Sequence, residues 1–425
     1  MSDTALAATI FAFTYAVIVS ERVHKTTAAL VGGVIMIGVH VIDQEQAFDA
    51  IDFNVIFLLA GMMMIVNVMG KTGVFQWLGI RSAKWGRGEP VRILLILSLV
   101  TAVASAFLDN VTTVVLIVPV TLFVAGSLRV SVVPFLISEA LASNIGGAAT
   151  LIGDPPNILI GSAADLDFLT FVINMGPVIV VVLALYIVAA RFMFFRGVTP
   201  EPDMRQRIME LDESQVITDP GLLRVSLAVL ALTMVGFLFH GPLNYEPATV
   251  ALMGASLLLL VTRQDPHDVL RDVEWPTLFF FFGLFIVVGG VEEVGILERV
   301  GEEIADITEG NQTAAAFLIL WVSAILSGIV DNIPYTAAMI PVVREINSDF
   351  GDSGDPNVLW WALALGADLG GNLTIIAASA NVLVANLAER GGEKIRFWEF
   401  FRYGVGVTIG TTAVATGYLW LRYLM

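Results

Sequence analysis

The sequence predicts an all-α polytopic membrane protein, built as two inverted repeats, with about ten transmembrane helices plus two re-entrant hairpins and with broken helices at the midplane. Three observations predict this fold. Of the 425 residues, 57% are hydrophobic and 14% are charged, and the mean hydropathy is +0.83, which is typical of many bilayer crossings. One stretch of the chain occurs twice. Lysine and arginine cluster in alternate loops.

The repeat centres on an Asp-Asn block at residues 109–113, which returns 222 residues later at 331–336. After a two-residue insertion the offset becomes 224, and the glycine-rich stretch 144–147 aligns with 368–371. The pairs that follow these offsets include Gly61 with Gly283, Gly73 with Gly295, Gly79 with Gly301 and Asn157 with Asn381. We therefore divide the chain into a first inverted repeat at 1–195, a cytoplasmic linker at 196–221 and a second inverted repeat at 222–425.

Ten apolar segments have the length of a crossing helix, about 17–25 residues, and some of them are broken. They are 4–20, 27–42, 53–70, 132–164, 170–194, 222–240, 246–262, 276–294, 357–388 and 400–421. Two further apolar blocks, 93–125 and 313–343, are too long for one crossing and carry the Asp-Asn motif near the middle. Each block predicts a hairpin that returns to the side from which it entered.

The distribution of basic residues predicts the orientation. With the N-terminus outside, 19 of the 22 lysines and arginines fall in inner loops, and only Arg299, Arg344 and Arg422 lie outside. We expect an inner-membrane protein with both termini extracytoplasmic. Amphipathic residues 71–87 predict a helix in the membrane interface, with an acidic counterpart at 292–306; a plain loop is the alternative for both.

The duplicated carboxylates are the first candidate site. A carboxylate inside an apolar stretch costs roughly 3 kcal/mol or more, so each is a functional hypothesis by default. At a hairpin tip, Asp109 and Asp331 would carry a proton or cation, with H⁺ as the coupling ion and Na⁺ as the alternative. Nearby oxygens and amides would bind a small solute; they belong to Asn110, Thr112, Thr113, Asn332, Tyr335 and Thr336. The alternative is a buried structural cap.

The glycine-rich blocks are the second candidate site, because paired glycines and prolines unwind membrane helices where backbone lines a cavity. Close packing of small residues between helices is the alternative. The candidate substrate-binding residues are Asn144, Gly146, Gly147, Asn157, Asn372, Ser379 and Asn381, and Asp154 and Asp368 are further candidates for proton or cation coupling. The two copies differ, since Asn144 aligns with Asp368 and Asp154 with Ala378. One half would therefore handle the coupling ion and the other more of the substrate.

Several functions are excluded or disfavoured. The chain has no cysteine, so disulfides and thiolate metal sites are absent, and its four histidines lack metal-binding spacing. Gly70-Lys71-Thr72 lacks the first glycine of a phosphate-binding loop, which is Ile65 here. A net charge of −17 disfavours nucleic acid. We expect a transporter and not an enzyme, with no cofactor and no bound metal.

Two features of the candidate core leave the substrate open. Arg129 and Arg344 are the only cations in 93–164 and 313–388, which disfavours a polyanionic substrate. Half-helix N-termini can hold anions without arginine, so this is a weak exclusion. Glu139 lies inside an apolar segment and is either a relay carboxylate or a side chain that snorkels to the inner face.

The Asp109-Asn110 block, the stretch from Asn144 through Gly153-Asp154-Pro155-Pro156-Asn157, and Ser379-Ala380-Asn381 resemble the ArsB/NhaD branch of the ion transporter superfamily over nearly the full length. The resemblance implies an elevator-like transport domain, two re-entrant hairpins and exchange driven by protons or sodium. It also implies that seven positions hold ion and substrate ligands: Asp109, Asn110, Asn144, Asp331, Asn332, Asp368 and Asn381.

Within this branch the compact length is most similar to arsenite and antimonite efflux permeases. The leading hypothesis is therefore proton-coupled export of arsenite, with a Na⁺/H⁺ antiporter and a dicarboxylate symporter as alternatives. The bilayer and, on the inner loops, an arsenical ATPase subunit are the partners that this hypothesis allows. The lack of cysteine implies recognition of arsenite by hydrogen bonds.

Overall fold

The computed structural model describes residues 2–20, 22–194, 206, 209–210, 212–350 and 355–425, and these contain helices and no strand. Much of the predicted linker 196–221 lies outside the described residues. The α-helices are Asp3–Ser20, Lys25–Gly38, Gln44–Asp49, Phe53–Gly70, Val74–Trp85, Pro90–Phe107, Asn110–Leu128, Val133–Gly147, Pro155–Ala163, Phe168–Met193, Pro220–Phe239, Pro247–Thr262, Pro266–Arg271, Trp275–Glu293, Ile296–Ile307, Gln312–Ser327, Asn332–Phe350, Val358–Gly370, Ser379–Arg390 and Phe397–Leu419.

Eight of the described helices are long and apolar enough to cross a membrane. Four shorter apolar helices accompany them: Lys25–Gly38, Pro247–Thr262, Gln312–Ser327 and Val358–Gly370. Two predicted spans are broken, since Val133–Gly147 is followed by Pro155–Ala163 and Val358–Gly370 by Ser379–Arg390. The prediction of an all-helical polytopic membrane fold is confirmed.

Two close helix pairs form a frame. Helix Lys25–Gly38 packs on Trp275–Glu293, and helix Phe53–Gly70 packs on Pro247–Thr262. A Cβ at Gly61 would lie 2.8 Å from the carbonyl carbon of Ala251, and one at Gly283 would lie 2.4 Å from that of Ala29. Gly61 and Gly283, like Ala29 and Ala251, are repeat counterparts. The same backbone contact is therefore made twice, with the repeats exchanged.

Each predicted hairpin is present as two antiparallel helices. Hairpin 1 joins Pro90–Phe107 to Asn110–Leu128, and hairpin 2 joins Gln312–Ser327 to Asn332–Phe350. The first helix of each hairpin lies against a broken helix of the same repeat. A Cβ at Gly146 would lie 2.0 Å from the Ala102 carbonyl oxygen, and one at Gly370 would lie 2.6 Å from the Ala324 carbonyl oxygen. Glycine at these positions allows the hairpins to approach the broken helices closely.

The two predicted amphipathic segments are helices, Val74–Trp85 and Ile296–Ile307, and each packs on the second helix of a hairpin. The described end of the linker is attached to the first of them. Glu213 accepts hydrogen bonds from Lys84 and, at 2.7 Å, from Arg81 Nη1. These contacts, that of Lys84 foremost, lower the pKa of Glu213 to about 2.

Candidate functional site

Each hairpin tip is closed by its aspartate, which caps the helix that follows. Asp109 accepts a 2.8 Å hydrogen bond from the Thr112 backbone N–H, and Asp331 accepts one of 3.1 Å from the Ile333 N–H. An aspartate is a favoured N-cap, since its oxygen satisfies an amide that has no partner within the helix. Both carboxylates therefore hold the tip geometry, which is the structural role that the sequence left as an alternative.

The breaks in the two broken helices are braced by equivalent asparagines. Asn157 Nδ2 donates to the carbonyl oxygens of Gly147 at 3.3 Å and Thr150 at 3.0 Å. Asn381 Nδ2 donates to those of Gly371 at 2.7 Å and Thr374 at 2.9 Å. These side chains satisfy carbonyl groups that the unwound backbone leaves without helical partners.

Asp154 joins the two hairpin tips. Its Oδ2 accepts a 2.7 Å hydrogen bond from Asn110 Nδ2, and its Oδ1 accepts one of 3.4 Å from Asn332 Nδ2. Asp154 is fully buried and lies within electrostatic range of Asp368, Asp331 and Asp109. One carboxylate from the first repeat thus contacts the asparagines of both hairpins.

Asn144 links the repeats a second time. Its Oδ1 faces Asn110 Nδ2 at 3.3 Å, while its Nδ2 donates to Asn372 Oδ1 at 3.2 Å and to Asn381 Oδ1 at 3.1 Å. All four asparagines are buried. Six of the predicted site residues, drawn from both glycine-rich blocks and both tips, therefore meet in one place between the repeats: Asn110, Asn144, Asp154, Asn332, Asn372 and Asn381.

Several buried atoms of this cluster have hydrogen-bonding capacity to spare. Asp368 is fully buried, and although Asn157 lies close to its carboxylate, neither oxygen of Asp368 is met in hydrogen-bond geometry. Within the described part of the chain, the other site atoms without a hydrogen-bond partner are Asn110 Oδ1, Thr113 Oγ1, Asn157 Oδ1, Thr336 Oγ1 and Asn372 Nδ2. Most of these atoms are oxygens, which suits the binding of a cation, a proton or a hydroxyl group.

Lys25 is a site residue that the sequence analysis did not identify. Its Nζ lies 2.5 Å from Asp331 Oδ2 and 2.5 Å from Ser379 Oγ, and it faces the Phe280 ring at 4.8 Å. Lys25 lies outside 93–164 and 313–388, the stretches that carry the motifs, so no local pattern relates it to the candidate core. Asp109 has no such partner among the described residues, because the counterpart of Lys25 is Pro247.

A cavity of about 750 Å³ leads to hairpin 2 and is lined by Lys25, Glu274, Asp331, Ser379 and Val111. This Lys25 cavity has a repeat-related counterpart of about 800 Å³, the Asp52 cavity. The Asp52 cavity is lined by Asp52, Ser162 and Pro247, which are the repeat counterparts of Glu274, Asn386 and Lys25 in the Lys25 cavity. The helix Lys25–Gly38 separates Lys25 from the loop that leads to Asp52, so the cavities lie at opposite ends of the frame.

Only the Lys25 cavity reaches a hairpin tip, because the described lining of the Asp52 cavity includes no residue of 109–113 or 331–336. Asn54 lines the Asp52 cavity and joins two elements there, since its Oδ1 accepts from Ala248 N at 2.9 Å and its Nδ2 faces Ser162 Oγ at 3.4 Å. Of these two cavities, the Lys25 cavity alone leads to the candidate site.

The remaining predicted residues have narrower roles. Thr112 contributes its backbone N–H to Asp109, and Gly147 provides a carbonyl to Asn157. Tyr335 points into its own hairpin, where its hydroxyl lies 3.0 Å from Ser323 Oγ. Tyr15, which the sequence analysis did not single out, donates to the Pro334 carbonyl at 2.7 Å and joins helix Asp3–Ser20 to the tip of hairpin 2.

A polytopic helical fold with repeat-related helices and a polar cluster at two hairpin tips defines a secondary membrane transporter and not an enzyme. The chain belongs to the CitMHS citrate transporter family, whose pattern it matches over residues 15–366. This confirms the resemblance to the ion transporter superfamily; the ArsB branch stays a prediction.

Two relatives of similar length and one longer relative support the assignment to membrane transporters. An uncharacterized transporter of Mycobacterium tuberculosis is 48% identical over 424 residues, which cover 99% of each chain. A 46 kDa membrane protein of Mycobacterium leprae is 45% identical with the same coverage. The P protein of Sus scrofa is 33% identical and covers all of this chain with 60% of its own length.

Two solved transporters share the fold at low sequence identity. The YdaH transporter of Alcanivorax borkumensis, described as having an unusual topology, gives a TM-score of 0.61 at 14% identity over 99% of this chain and 98% of its own. MtrF of Neisseria gonorrhoeae, from a class of antimetabolite efflux pumps, gives a TM-score of 0.62 at 11% identity over 92% of this chain and 85% of its own.

Proposed function

We propose that the chain is a proton-coupled antiporter that exports arsenite, and antimonite by the same chemistry, from the cytoplasm. The observation that carries the coupling is the position of Asp154, which accepts hydrogen bonds from Asn110 and Asn332, one from each hairpin. In this proposal Asp154 and Asp368 bind the coupling proton, while Asp109 and Asp331 hold the tips and tune the local charge.

Protonation of Asp154 would change what the hairpins contact. An ionised carboxylate accepts only, whereas a protonated one places a donor at one of its oxygens. Asn110 and Asn332 both present N–H groups, so a proton on Asp154 would oppose one of the two contacts. The hairpin tips are therefore held most firmly when Asp154 is ionised, which ties their position to proton binding.

Arsenite at neutral pH is a small neutral trihydroxide, and the spare capacity of the site suits it. Its hydroxyl groups can donate to Asn110 Oδ1, Thr113 Oγ1 and Thr336 Oγ1, which have no partner in the described structure. Asn372 Nδ2 can donate in return. Hydrogen bonds of this kind release the solute readily, as an efflux protein requires.

A Na⁺/H⁺ antiporter is the second candidate, and the same oxygens favour it. Hard cations take carboxylate, amide and hydroxyl oxygens. Asp368, with both oxygens free of hydrogen bonds, and Asn157 Oδ1 would supply such a set. An anion substrate, as the family name suggests, has Lys25 in its favour, although that cation is already paired with Asp331.

The orientation is part of the proposal. The Lys25 cavity lies on the side to which the basic residues assign the cytoplasm, so the described conformation faces inward. The protein would sit in the cell's inner membrane with both termini outside. An arsenical ATPase subunit, if the cell has one, would dock on the inner loops.

The test is solute accumulation in everted membrane vesicles under an imposed proton gradient. Arsenite, sodium and citrate are assayed separately, and Asp154→Asn and Asp331→Asn are compared with Asp306→Asn, an exposed control. We expect gradient-dependent arsenite accumulation that is lost in Asp154→Asn and kept in Asp306→Asn. Accumulation of sodium or citrate but not of arsenite would reject arsenite as the substrate. Arsenite accumulation without a proton gradient would reject the proton coupling.

A further inference from the structure

Glu139 is a buried acid that the hairpin-tip site does not use. It lies on helix Val133–Gly147 with 1% of its surface exposed, so it does not snorkel to the membrane face. Its Oε1 accepts a 2.6 Å hydrogen bond from Thr121 Oγ1 of hairpin 1. Its Oε2 has no partner within the described structure. Of the two alternatives left by the sequence, snorkelling to the inner face is thus excluded and a buried role remains.

Among the residues that the structure describes, the surroundings of Glu139 hold no compensating charge. Of the elements packed on its helix, hairpin 1 presents Thr121 and helix Phe168–Met193 presents Tyr186. The Tyr186 hydroxyl is already bonded to Ser138 Oγ at 2.8 Å. Among the described residues, none of the helices Val358–Gly370, Ser379–Arg390 and Phe397–Leu419 places a charged group against Glu139.

An ionised carboxylate in this position would be costly. Removing an unpaired charge from water costs several kcal/mol even after the surroundings relax, and a single hydroxyl donor offsets only part of that. Protonation removes the charge and leaves the Thr121 hydrogen bond in place, because a carbonyl oxygen also accepts. The described packing therefore favours the acid form of Glu139.

The position of Glu139 connects it to the candidate site and to hairpin 1. It precedes Asn144 by five residues on one helix, which is about 7.5 Å along the axis. The one hydrogen-bond donor to Glu139 within the described part of the chain, Thr121, belongs to the hairpin whose tip holds Asp109. The second repeat has Leu363 and Val343 in place of Glu139 and Thr121, so this arrangement is unique to the first repeat.

We propose that Glu139 is a second proton-binding site, separate from the hairpin tips, that keeps its proton while hairpin 1 is packed and releases it when hairpin 1 moves. The reaction is a simple proton exchange with water, and no bond other than O–H is made or broken. Proton binding at Glu139 is independent of the substrate, whereas its use in coupling rests on the proposed function.

Infrared spectroscopy of the purified full-length protein tests this directly. With isotope-labelled glutamate, a protonated glutamic acid gives a C=O band that ionised surface glutamates lack. At neutral pH we expect that band in the parent protein and its loss in Glu139→Gln. Thr121→Val, which keeps the acid and removes the donor, should move the band to higher frequency, as expected for a carbonyl that loses a hydrogen bond.

Two outcomes would overturn the proposal. An unchanged band in a folded Glu139→Gln protein would mean that Glu139 is ionised, and an unshifted band in Thr121→Val would mean that the proton is elsewhere. The measurement needs no solute, so it separates the two claims. Loss of the band in Glu139→Gln together with absent arsenite transport would retain the proton site and reject the proposed substrate.

A chemical probe tests the link to hairpin 1. The chain has no cysteine, so Ser98→Cys, which places a thiol in hairpin 1 beside Ser138, can be alkylated selectively. We expect its labelling rate to rise with pH more in the parent background than in Glu139→Gln, since only the parent can ionise there. Equal pH profiles in the two backgrounds would show that ionisation of Glu139 does not loosen the hairpin.

Discussion

Asn110 Nδ2 lies 2.7 Å from Asp154 Oδ2, and this contact joins the tip of hairpin 1 to the start of helix Pro155–Ala163. Asn332 reaches the other oxygen of the same carboxylate from hairpin 2, at 3.4 Å. The counterpart of Asp154 in the second repeat is Ala378, so a single acid serves both tips. A change in its charge acts on both hairpins at once.

The first prediction concerns this acid. Asp154→Asn should abolish proton-driven accumulation, because an amide does not bind the coupling proton. It should also lower the remaining downhill transport about tenfold or more, because a hydrogen bond to a charged group contributes roughly 1.5–3 kcal/mol. The remaining transport should also lose its pH dependence between acidic and neutral conditions. Initial rates across a pH series in vesicles measure both effects. A variant that keeps the parent pH profile would place the coupling proton on another residue.

The second prediction concerns Lys25 and Asp331, which approach within 2.5 Å although 306 residues separate them in the chain. Lys25→Met should lower thermal stability, and the double variant Lys25→Met with Asp331→Asn should recover part of the loss. Asp331 is partly exposed, so solvent screening reduces the coupling to about 1 kcal/mol. Additive effects of the two changes in thermal unfolding would show that the pair does not interact.

The third prediction uses the two repeat-related cavities. Ser379 lines the Lys25 cavity and Ser162 lines the Asp52 cavity, at opposite ends of the frame. In the cysteine-free parent, a membrane-impermeant thiol reagent should label Ser379→Cys from the cytoplasmic side and Ser162→Cys from the outside. Everted and right-side-out vesicles provide the comparison. Labelling of both cysteines from one side would contradict the assignment of the two faces.

The fourth prediction tests the close contact between hairpin 1 and the broken helix. Gly146→Ala should destabilise the protein by about 1–3 kcal/mol, because the added methyl group meets the Ala102 carbonyl oxygen at 2.0 Å. Gly410→Ala is the matched control, since a Cβ there meets nothing within 4 Å. Thermal unfolding in detergent gives the comparison. Equal stability of the two variants would mean that the hairpin is less tightly packed than described.

The fifth prediction concerns the linker and pH. The pKa of Glu213 is lowered to about 2 by Lys84 and Arg81, so its ion pairs are intact above its ordinary value near 4.5 and are lost as the pH falls toward 2. Glu213→Gln should therefore speed proteolysis of the linker at neutral pH, with Glu89→Gln as a surface control. The two forms should converge at acidic pH. Unchanged cleavage would show that Glu213 does not hold the linker.

Much of the fold could be predicted because each feature has a local signal. The hairpins follow from apolar blocks that are too long for one helix and have a polar centre. The helix breaks at 148–154 and 371–378 follow from the paired glycines and the asparagines of the two glycine-rich blocks. The repeat offset aligns the residues of the two blocks, and Asn381 makes the same hydrogen bonds in the second repeat as Asn157 makes in the first.

The contacts of Lys25, Tyr15 and Glu139 could not be predicted in this way. Lys25 and Tyr15 meet hairpin 2 across more than 300 residues, and no pattern in the sequence relates them to it. The burial of Glu139 depends on which face of its helix meets hairpin 1. An almost continuous apolar sequence does not distinguish a lipid-facing side from a protein-facing side.

The most direct test of the proposed coupling is the simultaneous measurement of solute and proton flux in proteoliposomes that contain only the purified protein. We expect an arsenite gradient to drive protons in the opposite direction in the parent and in Asp306→Asn, and to drive none in Asp154→Asn. Arsenite movement without proton movement in the parent, or equal proton flux in Asp154→Asn, would contradict the account.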